Sequence, residues 1–128
     1  MNKFVIDAYA WIEYLDGTLI GEEVKKILEN QENDNYTCAV TVAEIVSKFI
    51  RMNKDPNIAL KAIRTLSKII NIDVDLSDST GRVHAEMKRK IKDFGLSDAY
   101  ILVVARKLNA KILTGDIHFK NLKEAVFL

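Results

Sequence analysis

The sequence contains one cysteine and one proline in 128 residues, and its formal net charge is only +1. A single cysteine, Cys38, excludes an internal disulfide framework and fits a reducing compartment. A net charge near zero excludes a global field that would steer an anionic partner, so contact with nucleic acid would need a local basic patch. No apolar run approaches the ~20 residues that span a bilayer, and the N-terminus lacks the basic and apolar regions of a signal peptide. We therefore expect a cytoplasmic protein with no membrane segment.

Hydrophobic residues make up 48% of the chain, which is enough to build one core and one domain over residues 1–128. Short apolar runs that predict strands alternate with longer segments that have helical spacing. This alternation predicts an α/β protein, a three-layer α/β/α sandwich around a central parallel sheet of four to five strands. The predicted strands cover residues 3–7, 36–40, 71–76, 111–114 and 125–128.

Two of the predicted helices have recognisable N-terminal signals. Thr41 followed by Glu44 has the form of a capping box and predicts a helix that continues to about Met52. Ser97 is the expected N-cap of a later helix, which we expect Asn109 to close.

Aspartates follow two of the predicted strands at the point where each strand ends. Asp7 comes directly after the first apolar run, and Asp116 follows the run 111–114. Ligands of open parallel sheets bind outside the carboxyl ends of the strands, so two acids at such ends suggest a site. Each acid alone could equally be a helix cap or a turn residue. The sequence does not establish that the two strands are neighbours.

Asp98 lies on the apolar face of its predicted helix. It precedes Ile101, Leu102 and Ala105 by three, four and seven residues, which places it on the same face as these residues. An ionised carboxylate that faces a core is costly unless it is paired, hydrogen-bonded or bound to a metal. The alternative is that Asp98 caps the first-turn amides, although Ser97 already offers a cap.

Glu44 and the two histidines give weaker signals. Glu44 points away from the apolar face that includes Ile45 and Phe49, so its spacing predicts an exposed residue or a reciprocal cap. It would line a site only if its face of the helix borders a cleft or a partner subunit. His84 and His118 are isolated in the sequence and suggest no zinc site, although His118 lies near Asp116.

The four acids lie in three segments, FVIDAYAWIEYL, TVAEIVSKF and GLSDAYILVVARKLNAKILTGDIHF. Together these segments resemble the PIN-domain family and, within it, the small VapC-type toxins of toxin–antitoxin pairs, over essentially the whole chain. The resemblance implies an α/β/α sandwich with a central parallel sheet, acids that converge on one or two Mg²⁺ or Mn²⁺ ions, and cleavage of RNA.

Carried over by matching motif, four acids form the expected catalytic and metal-binding site: Asp7, Glu44, Asp98 and Asp116. Thr114 is the expected hydroxyl of the Thr-x-Asp element. One position departs from the family, in which many members have Ser or Thr two residues after the first acid. Tyr9 stands there in this sequence. A phenol cannot occupy the same place beside a metal, which puts that contact in doubt.

The resemblance implies a metal-dependent ribonuclease that is the toxin of a type II toxin–antitoxin pair. It implies an RNA substrate, a small antitoxin as partner and a homodimer. An acidic pocket repels RNA, so binding would require a basic rim. Lys48, Arg51 and Arg106 are candidates for this rim. The main candidates lie in the segment RVHAEMKRKIK: Arg82, Lys88, Arg89, Lys90 and Lys92.

Three other functions stay open. A housekeeping RNA-processing nuclease would have the same fold and the same acids. A catalytically silent PIN-like RNA-binding module would not bind a divalent ion. A haloacid-dehalogenase-like phosphatase would need a second acid two residues after Asp7, where Tyr9 stands.

Overall fold

The computed structural model describes residues 2–128, and its five strands and six α-helices alternate along much of the chain. The elements are β1 (Asn2–Ile6), α1 (Ala8–Asp16), α2 (Leu19–Leu28), β2 (Asn33–Cys38), α3 (Ala39–Arg51), α4 (Pro56–Leu66), β3 (Lys68–Ile70), α5 (Val74–Lys90), α6 (Leu96–Leu108), β4 (Lys111–Thr114) and β5 (Ala125–Phe127). One turn of 3₁₀ helix, Ile117–Phe119, follows β4. No helix in the described residues is long and apolar enough to cross a membrane.

All five strands pair in parallel, in the order β3-β2-β1-β4-β5. Helices cover both faces of this sheet, and successive side chains of a strand point to opposite faces, so β1 and β4 each contribute to both cores. Val5 and Ile112 pack in a core with α5 and α6, whereas Ile6 and Leu113 pack in a second core with α1 to α4. The structure thus confirms the predicted three-layer sandwich and its parallel sheet.

The strand order places β1 beside β4. The chain builds the sheet outward from β1 through β2 to β3, and then returns to the other side of β1 for β4 and β5. The register pairs Ile6 with Leu113, so both strands end at the same edge of the sheet. This reversal of direction is the topological switch point at which open α/β sheets bind ligands.

β1 and β5 differ from their predicted ranges by one residue at one or both ends, whereas two other strands lie further from the residues predicted. β2 begins and ends earlier than the predicted range 36–40. The predicted strand 71–76 is wrong, because β3 precedes it and α5 begins within it. The Asp73 side chain accepts a hydrogen bond of 2.8 Å from the Leu76 N–H, which caps α5. The alternating apolar residues of this segment therefore belong to the start of a helix.

Two predicted helix caps are also wrong. α3 begins two residues before Thr41, which lies buried inside the helix, and its hydroxyl has no hydrogen-bond partner within residues 2–128. The N-cap of α6 is Gly95, not Ser97. The predicted closure of α6 by Asn109 is confirmed, since this residue adopts the left-handed conformation with φ of 54°.

Candidate active site

Asp7 follows β1 directly and begins the turn into α1. Its backbone N–H donates to the Leu113 carbonyl over 3.1 Å, which extends the pairing of β1 with β4. The side chain is 5% exposed and accepts hydrogen bonds from the Ala8 N–H and the Thr114 hydroxyl, each at 2.8 Å. Asp7 therefore caps α1 and also faces β4, so the two interpretations of this acid do not exclude each other.

Burial raises the pKa of the Asp7 carboxyl from 3.8 to about 7. The hydrogen bonds from Thr114 and Ala8 lower this pKa, whereas the negative charges of Asp116 and Glu44 raise it. A carboxyl that ionises only near neutral pH destabilises the folded protein when it is charged. A cation bound beside it would favour the ionised form.

The Thr114 hydroxyl joins Asp7 to the loop that carries Asp116. This hydroxyl is fully buried, donates to Asp7 Oδ2 and accepts a hydrogen bond of 2.9 Å from the Asp116 N–H. The Asp116 carboxylate accepts a hydrogen bond of 2.9 Å from the His118 N–H and so caps the 3₁₀ turn. These bonds fix the backbone from which Asp116 projects.

Asp98 lies in the first turn of α6 and is 8% exposed. Its Oδ2 atom accepts a hydrogen bond of 2.9 Å from the Gly95 N–H, which closes the N-terminus of the helix. Asp98 therefore does cap its helix, although it accepts from the N–H of the N-cap residue Gly95 and not from the first-turn amides, as the capping interpretation expected. The same oxygen also lies 3.0 Å from His118 Nδ1, so Asp98 faces the loop after β4 as well.

His118 is the residue that the sequence interpretation missed. Its Nδ1 atom lies 3.0 Å from Asp98 Oδ2 and 3.4 Å from Asp116 Oδ1. One ligand atom from each of these three residues lies within 4.8 Å of the others, a separation that a single metal ion could bridge. The sequence did contain a signal for this residue. His118 follows Asp116 by two residues, and a tight turn between them brings the two side chains to the same side of the chain.

Glu44 lies on α3 and is exposed, as its spacing predicts, but the exposed face of α3 borders the site. Partial burial of the carboxylate raises the pKa of Glu44, and the Ser97 hydroxyl opposes this effect. The charges of Asp98 and Asp116 raise the pKa of Glu44 further. Glu44 is thus within electrostatic reach of the acids on α6 and after β4, which brings four carboxylates together at one edge of the sheet.

Tyr9 packs its ring against Gly115, in the middle of the Thr-x-Asp element. A Cβ atom added to Gly115 would clash with Tyr9 Cε1 and would lie 2.6 Å from Tyr9 Cζ, so the ring would have to move. The close approach of the ring therefore favours glycine at residue 115, and Tyr9 covers the backbone between Thr114 and Asp116. Tyr9, which stands where many family members have Ser or Thr, therefore has a structural role. Its ring covers Gly115, which the shorter side chain of a serine or threonine could not do.

The basic residues of the RVHAEMKRKIK segment are all exposed. Lys88, Arg89 and Lys90 form the last turn of α5, and Lys92 follows in the short connection to α6. Arg82 lies nearer the middle of α5 and pairs with the preceding turn of its own helix, 3.2 Å from Asp78. The end of α5 is thus the part of this segment that leads toward Asp98.

The other basic candidates differ in their surroundings. Lys48 and Arg51 line a groove between α1 and α3 together with Tyr9 and Glu44. Arg106 is engaged elsewhere, since its Nε atom lies 2.9 Å from a Glu124 carboxylate oxygen. Lys48 and Arg51 therefore border the acidic cluster, and Arg106 does not share this groove.

The donor set at the sheet edge fits a divalent cation. Carboxylate oxygens suit Mg²⁺ and Mn²⁺, and an imidazole nitrogen adds affinity for first-row transition ions. Within residues 2–128, lysine and arginine form their ion pairs with other acids, which leaves the four carboxylates without a basic partner of that kind. Among the residues that the structure describes, the His118 imidazole is the basic group that approaches them, at Asp98 and Asp116.

The sequence profile of the PIN domain family matches residues 4–125, which is nearly the whole chain. The chain therefore belongs to the PIN domain family. No curated relative matches it by sequence at a significant level.

Several solved structures share its fold. A toxin–antitoxin complex from Klebsiella pneumoniae has a TM-score of 0.73 and 21% identity, over 95% of this chain and 94% of that one. VapBC2 from Rickettsia felis, bound to a fragment of its promoter DNA, has a TM-score of 0.74 and 16% identity, over 98% and 97%. VapC20 from Mycobacterium tuberculosis, a toxin that cleaves the sarcin–ricin loop, has a TM-score of 0.73 and 15% identity, over 94% and 95%. At these identities the likeness is one of fold.

The raised pKa of Asp7 predicts that the metal-free protein loses stability as pH rises. The folded state holds this proton more tightly than the unfolded chain, so unfolding releases it between about pH 4 and about pH 7. Over that window the free energy of unfolding should fall by on the order of 4 kcal/mol through this group alone. Asp7→Asn should remove this contribution to the slope, which urea denaturation of chelator-treated protein at pH 4 and pH 8 would measure.

The matched control for this experiment is Asp93→Asn, which changes an exposed aspartate in the connection before α6. It should keep the pH dependence of the wild type. Parallel stability profiles for wild type and Asp7→Asn across this range would show that Asp7 titrates like an exposed acid.

The contact between Tyr9 and Gly115 predicts a non-additive pair of substitutions. Gly115→Ala should lower the free energy of unfolding by about 1–3 kcal/mol, because the new methyl group displaces the Tyr9 ring. In a Tyr9→Ser background the same change should cost less, with a coupling of about 0.5–3 kcal/mol measured by denaturation of the four proteins. Gly81→Ala is the control, since a Cβ there meets nothing within 4 Å. Additive effects at residues 9 and 115 would mean that the ring does not cover this backbone.

Proposed function

We propose that this protein is a metal-dependent endoribonuclease that hydrolyses phosphodiester bonds of RNA, and that it is the toxin of a type II toxin–antitoxin pair. The observation that carries the proposal is the convergence of four carboxylates, without a lysine or arginine partner within residues 2–128, at the switch point of a PIN domain. A buried acid with a pKa near neutrality at this point is typical of a functional site rather than of a structural turn.

Asp98 and Asp116 are the proposed direct ligands of Mg²⁺ or Mn²⁺, either as one ion or as two. Asp7 would bind the same ion or one of its waters, and the Thr114 hydroxyl would hold the Asp7 carboxylate in place. Glu44 is more exposed, which suits an acid that orients a water molecule at the edge of the site. When bound, the cation would supply a water of lowered pKa and neutralise charge on the phosphate.

The carboxylates repel RNA, so its backbone must be held by the basic residues around them. The groove that contains Tyr9 and Glu44 also contains Lys48 and Arg51, which could bind phosphates on one side of the site. The last turn of α5, which precedes Asp98 in the chain by a short connection, also presents Lys88, Arg89 and Lys90 to solvent. Tyr9 is 36% exposed and could stack on a base as well as cover Gly115.

A small antitoxin and a second copy of the chain are the proposed protein partners. The Klebsiella pneumoniae structure is a toxin–antitoxin complex, and VapC20 is a sarcin–ricin loop cleaving toxin. This chain spans 94% and 95% of those chains, so the likeness extends over the whole toxin fold. An RNA-cleaving toxin meets its substrate in the cytoplasm, where we propose that this protein acts.

Purified wild-type protein with Mn²⁺ or Mg²⁺ should cleave RNA, and Asp98→Asn should reduce the rate at least about 100-fold. The reason is that even groups that only support a metal ligand contribute about 10–100-fold. Gel assays on several structured and single-stranded RNAs would measure this, with Asp93→Asn as the control that should stay active. Equal rates for wild type and Asp98→Asn would contradict the proposal.

Induction in cells separates the toxin from a housekeeping nuclease with the same acids. Growth arrest by the wild type that Asp7→Asn relieves supports a toxin, whereas equal growth favours housekeeping RNA processing. A silent RNA-binding module would show neither cleavage nor binding of Mn²⁺.

A further inference from the structure

We propose that His118 is a metal ligand of this chain, beside the carboxylates, and that its nitrogen makes the site prefer Mn²⁺ to Mg²⁺. The inference rests on the proposed function only in using the same metal site. His118 Nδ1 lies 3.0 Å from Asp98 Oδ2 and 3.4 Å from Asp116 Oδ1. Two ligands at about 2.1 Å from a cation, on adjacent octahedral positions, lie about 3.0 Å apart. The imidazole nitrogen is therefore already at the distance from Asp98 Oδ2 that a neighbouring ligand of the same cation would have.

The backbone around His118 is anchored on both sides. Asp116 accepts a hydrogen bond from the His118 N–H and so fixes the start of the 3₁₀ turn. The next residue, Phe119, is fully buried and packs edge to face against Phe94, with ring centroids 6.0 Å apart. Phe94 immediately precedes Gly95, the residue that Asp98 caps. The same contact thus ties the histidine turn to the N-terminus of α6, and the imidazole is held toward both acids.

The chemistry of the imidazole decides which cation benefits. Mg²⁺ strongly prefers oxygen ligands and keeps most of its waters. First-row transition ions gain more binding affinity than Mg²⁺ from a nitrogen donor. Within that series, Mn²⁺ resembles Mg²⁺ most closely in its preference for carboxylate ligands. His118 binds through Nδ1 when its proton resides on Nε2, a tautomer that the 28% exposure of the side chain allows.

A hydrogen bond from Nδ1–H to Asp98 would give the same distance without any metal. In that case His118 would only hold two acids together, and its loss would weaken the binding of every divalent cation by the same factor. A direct ligand has a different signature, because its nitrogen is detected on the ion and its loss affects Mn²⁺ more than Mg²⁺.

The chain has only two histidines, His84 and His118, which makes the assignment direct. Protein without a histidine tag should be loaded with Mn²⁺ and measured by pulsed electron paramagnetic resonance for coupling to ¹⁴N. We expect histidine nitrogen coupling in the wild type, the same coupling in His84→Phe, and none in His118→Phe. His84 is the matched control, since its Nε2 contacts the Phe94 carbonyl at 3.1 Å instead of the acids.

Calorimetric titration with each cation gives the second readout. His118→Phe should lose at least about 10-fold in affinity for Mn²⁺ and much less for Mg²⁺. Bound Mn²⁺ without nitrogen coupling in the wild type would overturn the inference even if no variant folds, and would leave the proposed ribonuclease intact. Equal losses for both cations would also overturn it. Nitrogen coupling in a protein that cleaves no RNA would support His118 as a ligand and contradict the proposed function instead.

Discussion

The burial of neighbouring carboxylates, which also repel one another, at the ends of β1 and β4 is the constraint on which the site depends. Two unit charges about 4 Å apart interact by about 4 kcal/mol at an effective dielectric of 20. Burial is the largest cause of the raised pKa of Asp7 and of Glu44, and the charges of the neighbouring acids raise both values further. Within residues 2–128, backbone N–H groups, the Thr114 hydroxyl and the His118 imidazole contact these acids and oppose the cost of their charge.

Three of the four acids have a second, structural role that helps to hold them in place. Asp7 caps α1, Asp98 closes the N-terminus of α6, and Asp116 caps the 3₁₀ turn. These roles recruit backbone N–H groups, which favour the ionised carboxylate and fix its direction. Structural and functional interpretations of an acid at a helix start are therefore compatible, since the cap places the carboxylate that a cation could bind.

The sequence predicted the layered fold, the parallel sheet and the two strand-end acids, because these follow from local periodicity and from where apolar runs stop. It could not predict that β1 lies beside β4, which depends on long-range pairing. Periodicity gave Glu44 the correct exposed face, but only tertiary packing brings that face near Asp98. The capping pattern at Thr41 was overridden because β2 ends at Cys38, and His118 was missed because its partners are close only after folding.

The most direct measurement is the free energy of unfolding of chelator-treated protein at pH 7.5, with and without Mn²⁺. A cation that binds only the folded state, at a free concentration 100 times its dissociation constant, should raise the free energy of unfolding by about 2.7 kcal/mol. The account predicts this gain for the wild type and a much smaller one when Asp98 and Asp116 are both changed to Asn. Identical unfolding curves for the wild type at every Mn²⁺ concentration would contradict it.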